Sequence, residues 1–139
     1  MLAALAAAIL LAGCSSGPPK RITPSVVSIQ QLVAADGQWR LTLRIQNYST
    51  VAMHYTALNA TLHVGGVDVG AIALKPGLDI PPNSADVVDT TVKASAALPA
   101  GDLSYTIAGT LDTIDPETHF KFERSSRLSP TPGLPGTWR

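Results

Sequence analysis

The chain has 139 residues, with ten basic and ten acidic side chains and a formal net charge of +0 at pH 7. The charges are spread along the sequence without a basic block or stripe, which excludes the electrostatic footprint of a nucleic-acid-binding protein. An apolar content of 45% excludes intrinsic disorder, which goes with low hydrophobicity and high net charge, and the length suits one domain.

Met1 to Ala12 carries no charge and consists almost entirely of Ala, Leu and Ile. The run is too short to span a bilayer, where a helix needs about 20 apolar residues, and it has the length of a signal-peptide h-region. It ends in Leu11-Ala12-Gly13-Cys14, which resembles the lipobox of bacterial lipoproteins. Small residues let a peptidase bring extended backbone up to the cysteine, whose thiol is the nucleophile that takes a diacylglyceryl group. Residues 1–13 are therefore expected to be a signal peptide, and Cys14 the lipidated first residue of the mature chain. No Lys or Arg precedes Lys20, so a start codon upstream is expected to supply the missing basic n-region. The competing reading is a buried N-terminal helix with an incidental cysteine. Cys14 is the one cysteine, so no disulfide can form within the chain. The expected partner is thus a membrane, reached through lipid on Cys14. Ser15 stands where an inner-membrane retention signal would place Asp, which favours an outer membrane, facing the periplasm, over the inner one. Residues 14–24, with Pro18, Pro19 and Pro24, read as a tether, since prolines extend the chain and cannot join a helix interior.

From there the dominant period is two. A first strand is expected over Val26 to Leu32. Trp39, Leu41, Leu43 and Ile45 alternate with Arg40, Thr42, Arg44 and Gln46, the pattern of a half-buried strand. Leu58, Ala60, Leu62 and Val64 alternate with Asn59, Thr61 and His63. Gly65-Gly66 then offers a two-residue hairpin turn, because glycine accepts positive φ without steric cost, and Val67 to Leu74 returns. Prolines and glycines between Lys75 and Asn83 mark a loop, Val87 to Val92 a further strand, and Leu103 to Leu111 another. Asp112 to Glu117 reads as a polar loop before a strand holding Phe120 and Phe122. Residues 129–139, rich in Pro and Gly, read as an irregular tail. About seven short strands over residues 25–128 predict an all-β protein, an immunoglobulin-like (fibronectin-III-like) antiparallel β-sandwich. Alternation does not give the strand order.

One stretch carries a further likeness. Arg44-Ile45-Gln46-Asn47-Tyr48-Ser49 leads to Tyr55, then to Leu58-Asn59-Ala60-Thr61-Leu62, Gly65-Gly66 and Val67-Asp68-Val69-Gly70, followed by Ile80-Pro81-Pro82-Asn83-Ser84 and a valine-rich strand. This resembles the late embryogenesis abundant type 2 proteins, which contain the water-stress and hypersensitive-response (WHy) domain. Members have a strand ending in Asn-Pro-Asn, a hairpin with a glycine after its second strand, a proline-bearing loop and a Val-rich strand. Asn47 matches the first Asn, whereas Tyr48 and Ser49 replace the Pro and second Asn; Gly70 matches the glycine. The resemblance covers roughly residues 24–125. It implies a folded β-sandwich and a non-enzymatic role in tolerance of dehydration or envelope stress.

The remaining candidates for chemistry are sparse. His54, His63 and His119 lack the cysteines or tight His spacing of a metal site and read as surface side chains, with His63 on the wet face of its strand. Asp112, Asp115 and Glu117 do not have the spacing of a calcium loop, and Asp115-Pro116 ordinarily starts a turn. Asp86 and Asp89 should face opposite sides of their strand. There is no nucleophile elbow and no phosphate-binding glycine loop, so no catalytic residue, metal or cofactor is expected. Trp39 shares a face with Leu41 and Leu43 and should be core. Tyr48 and Tyr55 flank a loop where exposure is expected, and Arg40 and Arg44 share a polar face about 13 Å apart at the usual strand rise. Besides stress protection, two readings stand: an assembly lipoprotein docking an envelope protein partner at a sheet edge, and a hydrolase with an unrecognised site.

Overall fold

A computed structural model describes Gly17 and residues 19–94 and 96–139. The expected signal peptide, Cys14 and Ser15 lie outside the described residues. Alternation becomes nine strands: β1 (Val26–Ala35), β2 (Gln38–Gln46), β3 (Met53–Val64), β4 (Val67–Leu74), β5 (Leu78–Ile80), β6 (Ala85–Lys93), β7 (Leu103–Ile114), β8 (Thr118–Leu128) and β9 (Thr137–Trp138). They form two sheets, one ordered β6-β2-β1-β9 and the other β4-β3-β7-β8, with β5 also on β3. All pairings are antiparallel. The protein is thus an all-β sandwich, and no helix among the described residues is long and apolar enough to cross a membrane.

The core lies where the inward positions meet. Leu41, Leu43 and Ile45 of β2 face Leu58, Leu62 and Val64 of β3 and Ile107 and Leu111 of β7, all without solvent exposure. Burying one such side chain stabilises by roughly 1.5–3 kcal/mol, so this interior layer is what selects the fold. Two-residue turns close the hairpins. Gly65 and Gly66 both have positive φ, at 57° and 81°, as expected for the primed turn that matches strand twist. Asp36-Gly37 makes the same kind of turn between β1 and β2 (φ 53° and 72°), as the dipeptide Asp-Gly favours. A bulge in β1 shifts its register against β2 between Ile29 and Gln31. The Ile29 N–H donates instead to the Tyr105 hydroxyl, 3.1 Å away on the other sheet.

The structure departs from the expected pattern in several places. The count is nine strands and not seven, because two short strands were read as loop and tail. β5 pairs Leu78 with Tyr55 and Ile80 with Met53. In the tail, Thr137 and Trp138 pair with Val33 and Leu32, and the Trp138 indole N–H donates to the Gly101 carbonyl at 3.0 Å, so the tail closes one edge of a sheet. Asp112 belongs to β7 and not to the following loop. The segment before β1, expected as tether, is pinned from Pro19 onward: Thr50 Oγ1 donates to the Pro19 carbonyl at 2.9 Å and accepts the Arg21 N–H at 2.7 Å, and the Thr50 N–H donates to the Arg21 carbonyl at 2.9 Å.

Candidate functional surfaces

Two features stand out at one end of the sandwich, where β2 passes into β3. The first is Asn47, fully buried. Its Nδ2 lies 2.9 Å from the Val51 carbonyl and 3.1 Å from those of Ile80 and Pro81, and its Oδ1 accepts the Ser49 N–H at 2.9 Å. A carboxamide offers two donor hydrogens and one carbonyl, so three acceptors share the two hydrogens and every polar atom is used. Ser49, also fully buried, accepts the Thr23 N–H at 2.8 Å and donates to the Thr23 carbonyl at 3.1 Å. Asn47 and Ser49 therefore join the segment before β1, the β2–β3 loop and the end of β5. Tyr48 between them is half exposed.

The second feature is Tyr55. The sequence reading expected exposure; the structure buries it completely, with its hydroxyl 2.6 Å from that of Ser25. The reason is that β3 begins at Met53, so Tyr55 lies in the strand and not beside a loop, and a bulge between Tyr55 and Ala57 turns it to the same inner face as Leu58. Burial pushes the phenol above its ordinary value of 10.0, opposed by the Ser25 hydrogen bond. The fold therefore holds the neutral phenol, and this stabilisation is complete below pH 10 and lost as pH rises through the raised folded value. Melting scans from neutral pH to about pH 11 should show the melting temperature falling in the alkaline arm. Tyr55→Phe should flatten that arm while lowering the neutral-pH value, since it leaves the Ser25 hydroxyl without its partner.

The outer face of the β4-β3-β7-β8 sheet carries a pattern that spacing along the chain did not reveal. Each histidine sits directly across from an aspartate on a paired strand: His54 with Asp79, His63 with Asp68 and His119 with Asp112. His54 Nδ1 lies 2.6 Å from the Asp79 carboxylate and His63 Nδ1 3.9 Å from that of Asp68, while His119 and Asp112 are in direct contact. The carboxylates are open to solvent, Asp79 by 85%, and such pairs contribute little to stability. None of the three rings is hydrogen-bonded to a hydroxyl among the described residues. No group of three or more His, Cys, Asp and Glu able to hold a metal is found among the described residues.

The other residues singled out in the sequence fall as follows. Trp39 is core, at 2% exposure. Arg40 and Arg44 are exposed on one face, with Arg44 donating to the Gln46 side chain at 3.1 Å. Asp86 and Asp89 stay apart, Asp89 accepting from the Thr42 hydroxyl at 2.7 Å. Asp115 and Glu117 are exposed in the β7–β8 turn and are not joined by Asp112, which is engaged by His119. Beside Arg40, the outer face of the other sheet has a shallow depression of about 120 Å³ lined by Val33, Ala35, Asp36, Gln38 and Thr91, small and open for a ligand site.

The buried polar groups of this antiparallel sandwich serve its own loops. The family model for late embryogenesis abundant protein matches residues 42–126, from within β2 to within β8, and the chain belongs to that family. It is similar to the solution structure of a protein from Arabidopsis thaliana, with 12% identity, a TM-score of 0.49, and coverage of 84% of this chain and 85% of that one. A second solution structure, of a protein described as late embryogenesis abundant, is 12% identical with a TM-score of 0.49 over 81% of this chain and 74% of that one. An X-ray structure solved as a structural-genomics target gives 13% identity and a TM-score of 0.50 over 82% and 92% of the two chains. At these identities the last likeness concerns the fold alone. No curated protein matches the sequence.

Proposed function

We propose that the protein is a membrane-anchored, non-enzymatic envelope lipoprotein whose domain, of the WHy kind, protects against desiccation or envelope stress. The observation that carries this reading is the junction of Leu11-Ala12-Gly13-Cys14, holding the one cysteine of the chain, to a domain of the late embryogenesis abundant family. Acyl chains contribute ~0.8 kcal/mol per buried CH₂, and two or more make anchoring stable. The lipid on Cys14 would hold a rigid sandwich at high density on the outer membrane, facing the periplasm, where it could shield lipid or client proteins as water is lost. Deleting the protein should lower survival of drying or osmotic shock, and the wild-type chain should restore it. Cys14→Ser should release the protein from membranes and fail to restore survival. Unchanged survival on deletion would count against protection, and a Cys14→Ser protein that still sediments with membranes would count against the lipid.

A second reading, docking of an envelope protein partner by strand addition, is favoured by the edge at β4. Edge strand β8 carries Lys121, Glu123, Arg124 and Arg127, and β6 carries Asp86, Asp89 and Lys93; charges of this kind protect an edge from pairing. From Val69 to Leu74, β4 has none. Crosslinking in intact cells separates the two readings, since a single stoichiometric partner would favour docking.

A further inference from the structure

We infer that the corner of the sandwich formed by Lys20, Arg21, Ile22 and Tyr48 rests against the lipid surface, so that the domain is held end-on and close to the membrane. The inference rests on the lipid-anchor reading and adds an orientation to it.

Three observations carry it. First, Ile22 and Tyr48 are large apolar side chains left 47% and 50% exposed, and neither can turn inward. Tyr48 lies between Asn47 and Ser49, which are fully buried and hydrogen-bonded as described. Ile22 lies between Arg21 and Thr23, whose backbones are tied to Thr50 and Ser49 at 2.7 and 2.8 Å. The fold therefore presents an aliphatic and an aromatic side chain outward on fixed backbone. Exposed apolar patches rimmed by polar residues mark contact surfaces, and tyrosine beside basic residues is the composition found at the headgroup level of bilayers.

Second, the length of chain before this corner limits what it can touch. Thr50 pins the chain at Pro19, and only five residue steps separate Pro19 from Cys14. Even fully extended they span no more than about 18 Å. The eleven residues read as a tether are thus cut to roughly half by the docking of Pro19 to Pro24. With lipid on Cys14, the Thr50 loop cannot stand far from the bilayer, and it is this end that faces it.

Third, the distribution of exposed apolar side chains around the domain agrees. Ile114, 46% exposed, ends β7 opposite His54 near the start of β3 and so belongs to the same end; Val87, 39% exposed, lies on edge strand β6 opposite Arg44, and Leu134, 49% exposed, follows the opposite end of the sandwich. Asp115 and Glu117 adjoin Ile114 and disfavour contact with anionic headgroups there. Lys20 and Arg21 carry the opposite charge beside Ile22. The contact is therefore placed at the Ile22–Tyr48 corner and not over the whole end.

The test uses the full chain isolated from the membranes of its source cells, placed in vesicles of phosphatidylethanolamine and phosphatidylglycerol containing a phospholipid with a photoactivatable group near its headgroup. After irradiation, labelled peptides are mapped by mass spectrometry. Lipid label concentrated on Lys20–Ile22 and Tyr48, several-fold above the peptide holding Leu134, is expected. The double variant Ile22→Ser, Tyr48→Ser should lose most of that label while keeping its lipid and its melting temperature. Even label around the domain, label concentrated at Leu134, or label absent from the domain although Cys14 is lipidated and the protein floats with the vesicles, overturns the orientation and leaves the anchor standing. Capture of a protein in place of lipid at Ile22 and Tyr48 in intact envelopes also overturns it. A bare Cys14 on protein that does not float removes the anchor and the orientation together.

Discussion

Replacing Asn47 by alanine is expected to cost on the order of 3–5 kcal/mol, seen as a large drop in the urea midpoint with little change in slope. The substitution leaves the carbonyls of Val51, Ile80 and Pro81 and the N–H of Ser49 without their partner. Each buried group left unpaired costs roughly 1–3 kcal/mol, and the total stability of a small domain is only about 5–15 kcal/mol. The damage should extend to the segment before β1, because the Ser49 hydroxyl that holds Thr23 is positioned by the same loop. Asn47→Asp should be at least as severe at neutral pH, since it turns a carboxylate oxygen toward three carbonyls, and should recover partly in acid as that carboxyl protonates. A loss below about 1 kcal/mol for Asn47→Ala, the net worth of one ordinary hydrogen bond, would show that the loop closes without this side chain.

Gly109→Ala is expected to be comparably damaging for a different reason. Gly109 sits in β7, opposite Ala60 of β3 on one side and Phe122 of β8 on the other. A Cβ placed there would lie 1.9 Å from the Asn59 carbonyl oxygen and 2.6 Å from the Ala60 Cα. Both contacts are with backbone, so no side-chain rotation relieves them, and the strands must part or shift register. Overpacking ordinarily costs 1–3 kcal/mol and occasionally more; here a loss above about 3 kcal/mol is expected, because the clash falls within the pairing between β3 and β7, two inner strands of the sheet. Thermal unfolding of the variant measures it, and a melting temperature near that of the wild type would contradict the close approach.

Much of the fold was legible because a half-buried strand writes its burial into every second residue. Leu41, Leu43 and Ile45 were placed correctly by that rule alone, as was Trp39. The rule needs length. Leu78–Ile80 and Thr137–Trp138 are too short to show a period, and their strand character comes from partners distant in the chain, Met53–Tyr55 and Leu32–Val33. It also needs an unbroken register. Tyr55 was placed wrongly because it was read as flanking a loop, whereas β3 begins at Met53; the bulge before Ala57 breaks the alternation that would have extended the strand back from Leu58. Of the histidine–aspartate pairs, His54–Asp79 was hidden for a related reason, since the two are 25 positions apart and meet only through β5; His63–Asp68 and His119–Asp112 face each other across hairpin turns and follow once the hairpin register is known. Asn47 was visible as a family likeness, but its buried role depends on the Ile80 and Pro81 carbonyls more than 30 positions away. The end proposed to meet the membrane was legible only in part, since the sequence showed Lys20, Arg21 and Tyr48 without showing that Thr50 and Ser49 tie the segment of Arg21 and Thr23 to the loop that holds Tyr48.

The intact mass of the N-terminal peptide from membrane-extracted protein is the most direct measurement of the central claim, that lipid on the first mature residue holds a stress-protective domain at the envelope. The account predicts a peptide beginning at Cys14 and carrying a diacylglyceryl mass on the thiol. A peptide that retains residues 1–13 with an unmodified thiol would contradict it.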